Sequence, residues 1–419
     1  MSAPQIQAPR GTYDVLAEQA SARVALEGRA RSILESAGYE RIETPTFEAT
    51  ELFARGVGSS TDIVRKEMFS FEDAGGRALT LRPEGTAPVC RAFVEHGMHK
   101  RSKPVKLWYL SSFFRHERAQ KGRYRQFWQV GAEALGSDDP AVDAESIALA
   151  SSLLAEMGVR AVRLRLSSLG SAETRAAYRE ELKAHLRAHE GSLVPEVRER
   201  IEDNPLRAFD SADPATRSVM ESAPKLLDQL DPDDGAHFAE VRALLTEARV
   251  DYEVDPTLVR GLDYYMRTVF EFTSDALGAQ SGVGGGGRYD ALVQELGGPP
   301  TPGMGWACGI ERMLLAGAPP VAAPAPVELF VALEHHDEVT RRSAFGLLGE
   351  ARRAGLAAQM ELAGRSLRRQ LSHADALGAR YVAIVEQQQT VLKDMQAGQQ
   401  TSLAADAVVH SVLRGQHAL

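Results

Sequence analysis

A chain of 419 residues is longer than one ordinary core requires, so two or three domains are expected. With 44% hydrophobic and 25% charged residues, it has the composition of a packed globular protein, not of a disordered or fibrous one. Its net charge of −9 argues against indiscriminate coating of nucleic acid but leaves room for local basic patches that meet RNA.

The two cysteines, Cys90 and Cys308, lie far apart in small or apolar surroundings, which suits a reducing compartment. With no Cys-x-x-Cys or Cys/His pairing, no zinc site is expected, and His96 and His99 read as a solvated helix end. The first thirty residues contain Asp14, Glu18 and Glu27 and no apolar run, so no secretory signal is expected. No window reaches the ~18–20 apolar residues of a membrane span. The expectation is a cytoplasmic protein without membrane contact.

In chain order, Glu18 to Gly38 predicts a helix: Val24, Ala25, Ile33 and Leu34 recur at helical spacing, and Gly38 suits the stop. A strand is expected next, running into Glu43-Thr44-Pro45, where proline ends ladder donation. Residues 105–114 and 125–135 are rich in Val, Leu, Tyr, Phe and Trp. They predict two antiparallel strands with a long functional connection at 115–124. From Ala172 to Arg249 the chain is helix-prone, with 11 Lys/Arg against 17 Asp/Glu and breaks at Asn204-Pro205 and Asp231-Pro232; it reads as an inserted helical module. Strand character returns at Val259 and persists, with glycine breaks, to Cys308, and a helix follows from Ile310. Ala316 to Pro326, rich in Gly, Ala and Pro, reads as a linker. Beyond it, Leu329–Leu333, Leu356–Met360 and Tyr381–Val385 alternate with helical segments, the pattern of a small, parallel-type α/β domain.

Residues 115–125 hold five Lys/Arg in eleven positions, with Glu117 among them and Phe113, Phe114, Phe127 and Trp128 on the flanks. Guanidinium groups hold phosphates bidentately and aromatic faces stack on bases, so a nucleotide site is one reading and a solvated basic hairpin tip is the other. From Gly303 to Arg312 a glycine-rich strand enters a helix whose first turn presents Arg312, where helix terminus and guanidinium together favour an anion. The run Gly282 to Gly287 fits G-x-G-x-x-G but does not open a domain of its own. It reads as a glycine-lined wall where backbone approaches a ligand closely. Gln129 and Glu133 share a strand face and either satisfy one another in the core or line a pocket for a ligand with an ammonium and ring nitrogens. Glu84 and Thr86 add a carboxylate and a hydroxyl, for which a cationic ligand group is a fitting partner. In the segment Leu258 to Tyr265, Arg260 and Asp263 form either a structural ion pair or part of a site.

Phe114 to Glu117, followed by Gly122 to Phe127, resembles the second signature of class II aminoacyl-tRNA synthetases in its histidyl form. Gly303 to Arg312 resembles the third signature, and the stretch ending at Pro45 resembles the first, a dimer-interface element. Arg260 to Tyr265 resembles a segment specific to the histidyl-tRNA synthetase family. The resemblance spans nearly the whole chain and weakens in the helical insertion and at the extreme C-terminus. It implies an α+β catalytic domain of class II synthetase type, built on an antiparallel sheet, over residues 1–320 with a helical insertion at about 172–249. A linker at 321–326 and a C-terminal α/β anticodon-binding domain at 327–419 complete the expected organisation. ATP and Mg2+ are the implied cofactors; L-histidine, tRNA(His) and a second copy of the chain, forming a homodimer, are the implied partners.

The resemblance also implies roles for individual residues. Arg115 would hold the α-phosphate of ATP, and Arg123 and Arg312 the γ-phosphate; Glu117 would meet the adenine amine and Phe127 would stack on the ring. Glu84, Thr86 and Gln129 would bind the α-ammonium of histidine. Glu133 and Tyr265 would bond the two imidazole nitrogens, with Tyr264 close by. Arg260 would stabilise charge developing on the α-phosphate, which makes Arg260 and Arg115 the catalytic pair. Arg118 and Gln120 match positions that read the tRNA acceptor end. Arg365, Arg368 and Arg369, expected on one face of the helix after Gly364, are either a solvated basic face or contacts to the anticodon stem. The rival is a non-catalytic, histidine-sensing regulatory subunit of ATP phosphoribosyltransferase. Such proteins usually lack the arginine of the histidine-specific segment and the C-terminal domain, and this chain has both.

Overall fold

The computed structural model describes residues 5–58, 61, 63–258, 260–278, 281–317 and 327–416. The linker expected at 321–326 therefore lies outside the described residues. The chain divides into two compact units, Met1–Val321 and Ala322–Leu419.

In the first unit, helix α1 (Ala17–Ser36) leads to strand β1 (Glu40–Arg41), then to β2 (Phe47–Ala49), α2 (Thr50–Gly56), β3 (Phe69–Glu72), β4 (Ala78–Leu81) and α3 (Thr86–Glu95). The long strands β5 (Val105–Phe114) and β6 (Gln126–Leu135) follow, then α4 (Pro140–Glu156) and β7 (Val162–Ser168). A helical stretch intervenes: α5 (Ala172–Ala188), α6 (Pro195–Arg198), a 3-10 turn at Pro205–Asp210, α7 (Pro214–Glu221) and α8 (Pro232–Glu247). The chain then returns to the sheet with β8 (Glu253–Val254), β9 (Met266–Ser274), β10 (Gly282–Arg288), α9 (Leu292–Glu295), β11 (Gly303–Gly309) and α10 (Ile310–Ala316).

These strands build an eight-stranded sheet in the order β1-β5-β6-β11-β10-β9-β7-β8. Every pair from β5 to β7 across it is antiparallel, and parallel pairs, β1 with β5 and β7 with β8, close its ends. Strands β2, β4 and β3 form a small separate sheet. The alternation of β5 explains the layering: Leu107, Tyr109 and Phe113 join a core with α2, α3, α5 and α9, while Trp108 points to the opposite core under α1, α4 and α8. The same alternation on β6 sends Val130, Ala132 and Ala134 to the α1/α4 side and leaves Gln129 and Glu133 on the other.

Three expectations need correction. The buried stripe of α1 is Leu26, Ala30 and Leu34, whereas Val24 is 69% exposed, because the helix rolls to pack on α4. The strand before Pro45 is only two residues long. After the two-residue β8, the next strand begins at Met266, since the segment Arg260 to Tyr265 is a turn; Val259 lies outside the described residues. The inserted helices break where proline was expected to break them: Pro205 opens the 3-10 turn and Pro232 takes the first position of α8, capped by Asp231.

In the second unit, β12 (Leu329–Leu333), α11 (Glu338–Arg353), β13 (Ala358–Met360), α12 (Leu367–Ala376) and β14 (Tyr381–Val385) make the expected parallel core. It continues into β15 (Thr390–Asp394), β16 (Gln400–Leu403) and α13 (Ala405–Gln416), with both added strands antiparallel. The sheet is therefore mixed, in the order β13-β12-β14-β15-β16. Helices α11 and α13 cover one face and α12 the other. Among the described residues no helix is long and apolar enough to cross a membrane.

Candidate active site

On the face of the large sheet that carries Gln129, strands β6, β9, β10 and β11 form the wall of a cavity of about 700 Å³. Its lining brings together Glu84, Thr86, Arg115, Glu117, Arg123 and Phe127 with Gln129, Arg260, Tyr264, Tyr265 and Arg312. Segments up to 228 residues apart in the chain thus meet in one place.

One end of the cavity is a buried polar floor. Glu84 precedes α3 and accepts the backbone N–H groups of Thr86 (2.7 Å) and Ala87 (3.0 Å), which satisfies two orphan donors of that helix. Burial raises its pKa, and those backbone donors, with the nearby Arg115, work against that. Thr86 Oγ1 donates in turn to Glu133 (2.9 Å).

Glu133 itself stands apart from the other expected residues. It is fully buried, does not line the cavity, and accepts hydrogen bonds from Tyr289 (2.5 Å) and Tyr109 (3.3 Å) as well as from Thr86. Burial pushes its pKa up to about 8, while the hydroxyl donors hold it down. Gln129 and Glu133 do share a face, but neither satisfies the other: Glu133 is satisfied by hydroxyls. Tyr264 packs edge-on against Tyr265 (4.7 Å between ring centroids) and Tyr289 (5.8 Å). Burial lifts the Tyr265 phenol to about 12, with Arg260 opposing.

Tyr109 and Tyr289 were not found from the sequence. The available signal was glycine inside strands: a Cβ on Gly131 would meet the Tyr109 hydroxyl at 2.4 Å.

The other end is cationic. Arg115 donates Nε to the carbonyl of Pro83 (2.9 Å), and its guanidinium lies 5.3 Å from the centroid of Phe127. Arg123 pairs with Glu117 (3.1 Å), so two residues expected at different ends of a nucleotide contact each other. Arg312, in the first turn of α10, donates to the carbonyls of Gly282 and Gly122 and so stitches the connection between β5 and β6 to the glycine strand. Burial depresses its pKa, and the charge of Arg123 adds to the effect, so an anion there is electrostatically favoured.

Its neighbour Glu311, also unanticipated, accepts from Tyr13 (2.7 Å), Arg23 (2.7 Å) and the backbone of Trp128, tying the N-terminal segment to the site. Arg118 and Gln120 are exposed on the connection and lie outside the cavity lining. From the insertion, Arg207 and Asp210 reach the cavity wall, and nothing in the local sequence marked them.

Arg260 forms an ion pair with Glu271 (3.1 Å), not with Asp263 as the structural alternative supposed. It rests on the glycine strand: a Cβ on Gly285 would come within 3.0 Å of its guanidinium. That close approach is what the glycine run permits, and no helix follows from within it. Arg365 is likewise corrected. It precedes α12 and pairs with the buried Glu361 (3.1 Å), while Arg368 and Arg369 are exposed on the helix.

An antiparallel sheet with a buried polar floor, a cluster of arginines and a separate mixed α/β unit is the architecture of a class II aminoacyl-tRNA synthetase with an anticodon-binding domain. The family model described as histidyl-tRNA synthetase matches residues 11–313. Histidine–tRNA ligase of Thermosynechococcus vestitus is 46% identical over 382 residues, covering 91% of this chain and 89% of that protein. The corresponding ligase of Geobacillus kaustophilus is 46% identical over 413 residues, 96% of this chain and 97% of that one. Among solved structures, apo histidyl-tRNA synthetase from S. aureus superposes with a TM-score of 0.79 at 32% identity, over 97% of this chain and all of that chain. A Bacillus halodurans structure titled as an ATP phosphoribosyltransferase regulatory subunit/histidyl-tRNA synthetase shares the fold at 22% identity and a TM-score of 0.64. The chain belongs to the histidyl-tRNA synthetase family.

Proposed function

We propose that this chain is a histidine–tRNA ligase. It joins the carboxylate of L-histidine to the α-phosphate of ATP, releasing pyrophosphate, and then transfers the histidyl group to the 3′ end of tRNA(His). The observation that carries the reading is one cavity with a buried carboxylate–hydroxyl floor at one end and Arg115, Arg260 and Arg312 along the remainder.

In this reading Glu84, Thr86 and Gln129 take the α-ammonium, since a buried carboxylate without a cation is costly and an ammonium supplies one. Tyr265 bonds one imidazole nitrogen from the wall, with Tyr264 behind it. Glu133 addresses the other from beneath Thr86 and Tyr109, and direct contact requires one of those side chains to give way when histidine enters. Arg115 and Arg260 meet the α-phosphate, where negative charge grows as the carboxylate attacks, and a preorganised guanidinium lowers that barrier. Phe127 stacks on adenine, Glu117 accepts from its amine, and Arg123 with Arg312 holds the γ-phosphate once ATP separates Glu117 from Arg123.

Mg2+ enters as the companion of the triphosphate. The wall carboxylates Glu117, Glu271 and Glu311 are each paired with an arginine, and Glu117 and Glu271 are the ones that would hold the ion if ATP draws those arginines to its phosphates. When bound, the ion neutralises phosphate charge.

Arg118 and Gln120, exposed on the connection, approach the acceptor end of tRNA, and residues 327–419 grip the anticodon stem through Arg368 and Arg369. Residues 1–320 form the catalytic domain, 172–249 its insertion and 321–326 the linker. A homodimer forms through the small sheet, which leaves Phe47 (51%) and Phe71 (44%) exposed side by side. The compartment is the cytoplasm. The test is histidine-dependent ATP–pyrophosphate exchange on folded protein, followed by charging of matched tRNA. Absence of exchange with histidine overturns the reading.

A further inference from the structure

Arg260 sits on a turn, not on a strand, so its guanidinium is placed by side-chain partners and not by sheet register. Among the described residues its Nε is buried with no hydrogen-bond partner, and its ion-pair partner is Glu271 on β9. The Glu271 carboxylate is divided: one oxygen takes Arg260 (3.1 Å) and the other takes Arg165 on β7 (3.2 Å). Arg165 is fixed in turn by Asp255, to which its Nε donates at 2.6 Å. All four side chains are at most a third exposed, which limits solvent screening.

The result is a chain of alternating charge, Asp255–Arg165–Glu271–Arg260, that runs in from the edge of the sheet and whose last three members line the cavity. Its register is set by the strands, since Arg165 lies directly opposite Glu271 across β7 and β9. Behind Arg260 the wall is backbone, because Gly285 has no side chain to interpose.

We infer that Glu271 is the positioning residue for Arg260, with Arg165 and Asp255 holding Glu271 in place. This rests on the proposed role of Arg260 in histidine activation. Although Glu271 lines the cavity, both of its oxygens are taken by arginines, so it acts through Arg260 and fixes the direction from which the guanidinium meets the phosphate. Strand β7 leads into the helical insertion and β8, just before Asp255, leads out of it, so the relay also anchors Arg260 to the edge from which the insertion springs.

The test uses the full chain and four variants: Glu271→Gln, Arg260→Ala, the double variant, and Arg165→Met. Melting curves establish that each is folded. Misplacing a transition-state group by about 1 Å costs on the order of 10²-fold. Glu271→Gln is therefore expected to lower the turnover of pyrophosphate exchange by roughly 10–100-fold while KM for histidine changes less than about 3-fold. Arg165→Met should give a smaller loss with the same split. The double variant should be no slower than Arg260→Ala alone, as two members of one unit require.

Normal turnover in Glu271→Gln with an impaired Arg260→Ala overturns the positioning role and leaves the reading of Arg260 standing. Normal turnover in both removes the reading of Arg260 and the inference with it. Multiplying losses in the double variant, or a raised Mg2+ requirement in Glu271→Gln, also overturns the inference, because Glu271 then acts independently or as a metal ligand.

Discussion

Gly305 on β11 lies directly opposite Glu133 on β6, so close that a Cβ on Gly305 would stand 1.6 Å from a carboxylate oxygen of Glu133. The carboxylate occupies space that any other residue would claim, and three hydroxyls hold it there. Gly305→Ala is expected to displace Glu133 and to cost about 1–3 kcal/mol through overpacking. Denaturant unfolding measures the loss. Histidine-dependent exchange should fall further than stability accounts for, and wild-type exchange in this variant would show that the placement of Glu133 is immaterial.

Replacing Glu133 itself should abolish discrimination and activity together. Sites built to hydrogen-bond a substrate reject analogues lacking those groups by ~10⁴–10⁵, because the buried partners are left unsatisfied. Glu133→Ala should therefore narrow the gap between histidine and ring-modified analogues while lowering exchange with histidine. Unchanged exchange with histidine contradicts the assignment.

The pKa of Glu133, pushed up to about 8 from an ordinary 4.5, has a definite sign for stability. Between those values the folded protein keeps a proton that the unfolded chain has released, so stability falls as pH rises through the window. Glu84, also raised by burial, acts in the same direction. In the ligand-free protein Glu133→Gln should flatten the decline in unfolding midpoint between about pH 5 and about pH 8. Parallel curves for the variant and wild type would place the slope elsewhere.

Away from the cavity, Asp143 on α4 accepts from Arg288 and from His237 (2.9 Å), and neither Asp143 nor Arg288 is exposed. Burial alone would raise the Asp143 pKa, but His237 and Arg288 together hold it below the usual range. Asp143→Ala leaves the buried guanidinium with Asp290 (3.1 Å) as its remaining counter-ion and removes the acceptor of His237, and should cost about 3 kcal/mol. The triple replacement Asp143→Leu, Arg288→Met and Asp290→Asn, which leaves no carboxylate of the cluster without its cation, should recover part of that, a difference read from urea midpoints.

Affinity for tRNA should depend on salt through Arg368 and Arg369. Replacing both with glutamine is expected to reduce the slope of log affinity against log salt by about 2. Arg365→Gln should change that slope little, since its guanidinium is engaged by Glu361. Filter binding across a salt series separates the three, and an equal effect from Arg365 would remove the distinction.

Several features were legible in the chain itself, because they are written in short windows. The strand pair expected at 105–114 and 125–135 followed from β-rich composition, with the second strand starting at Gln126, and the helical stretch after residue 170 followed from composition and proline breaks. The arginines of the site were identifiable one by one, since each sits in a compact motif. Face and partner were not legible. Val24 was counted on the buried face of α1, yet Leu26, Ala30 and Leu34 fill it, because the choice depends on the α4 surface opposite. β15 was missed because its core-facing positions, Thr390 and Leu392, are too few to stand out in a polar stretch, and β16 because its residues are nearly all exposed.

The positive ends of the site were thus present in the sequence, and their geometry was not. Glu133 finds its hydroxyl donors 24, 47 and 156 residues away, and Arg260 finds Glu271 where Asp263 is nearer in the chain. Local periodicity and motif spacing are set by backbone geometry within a few residues. Which carboxylate meets which donor is set by strand register and by glycines that let layers close to contact, and these exist only once the sheet has formed.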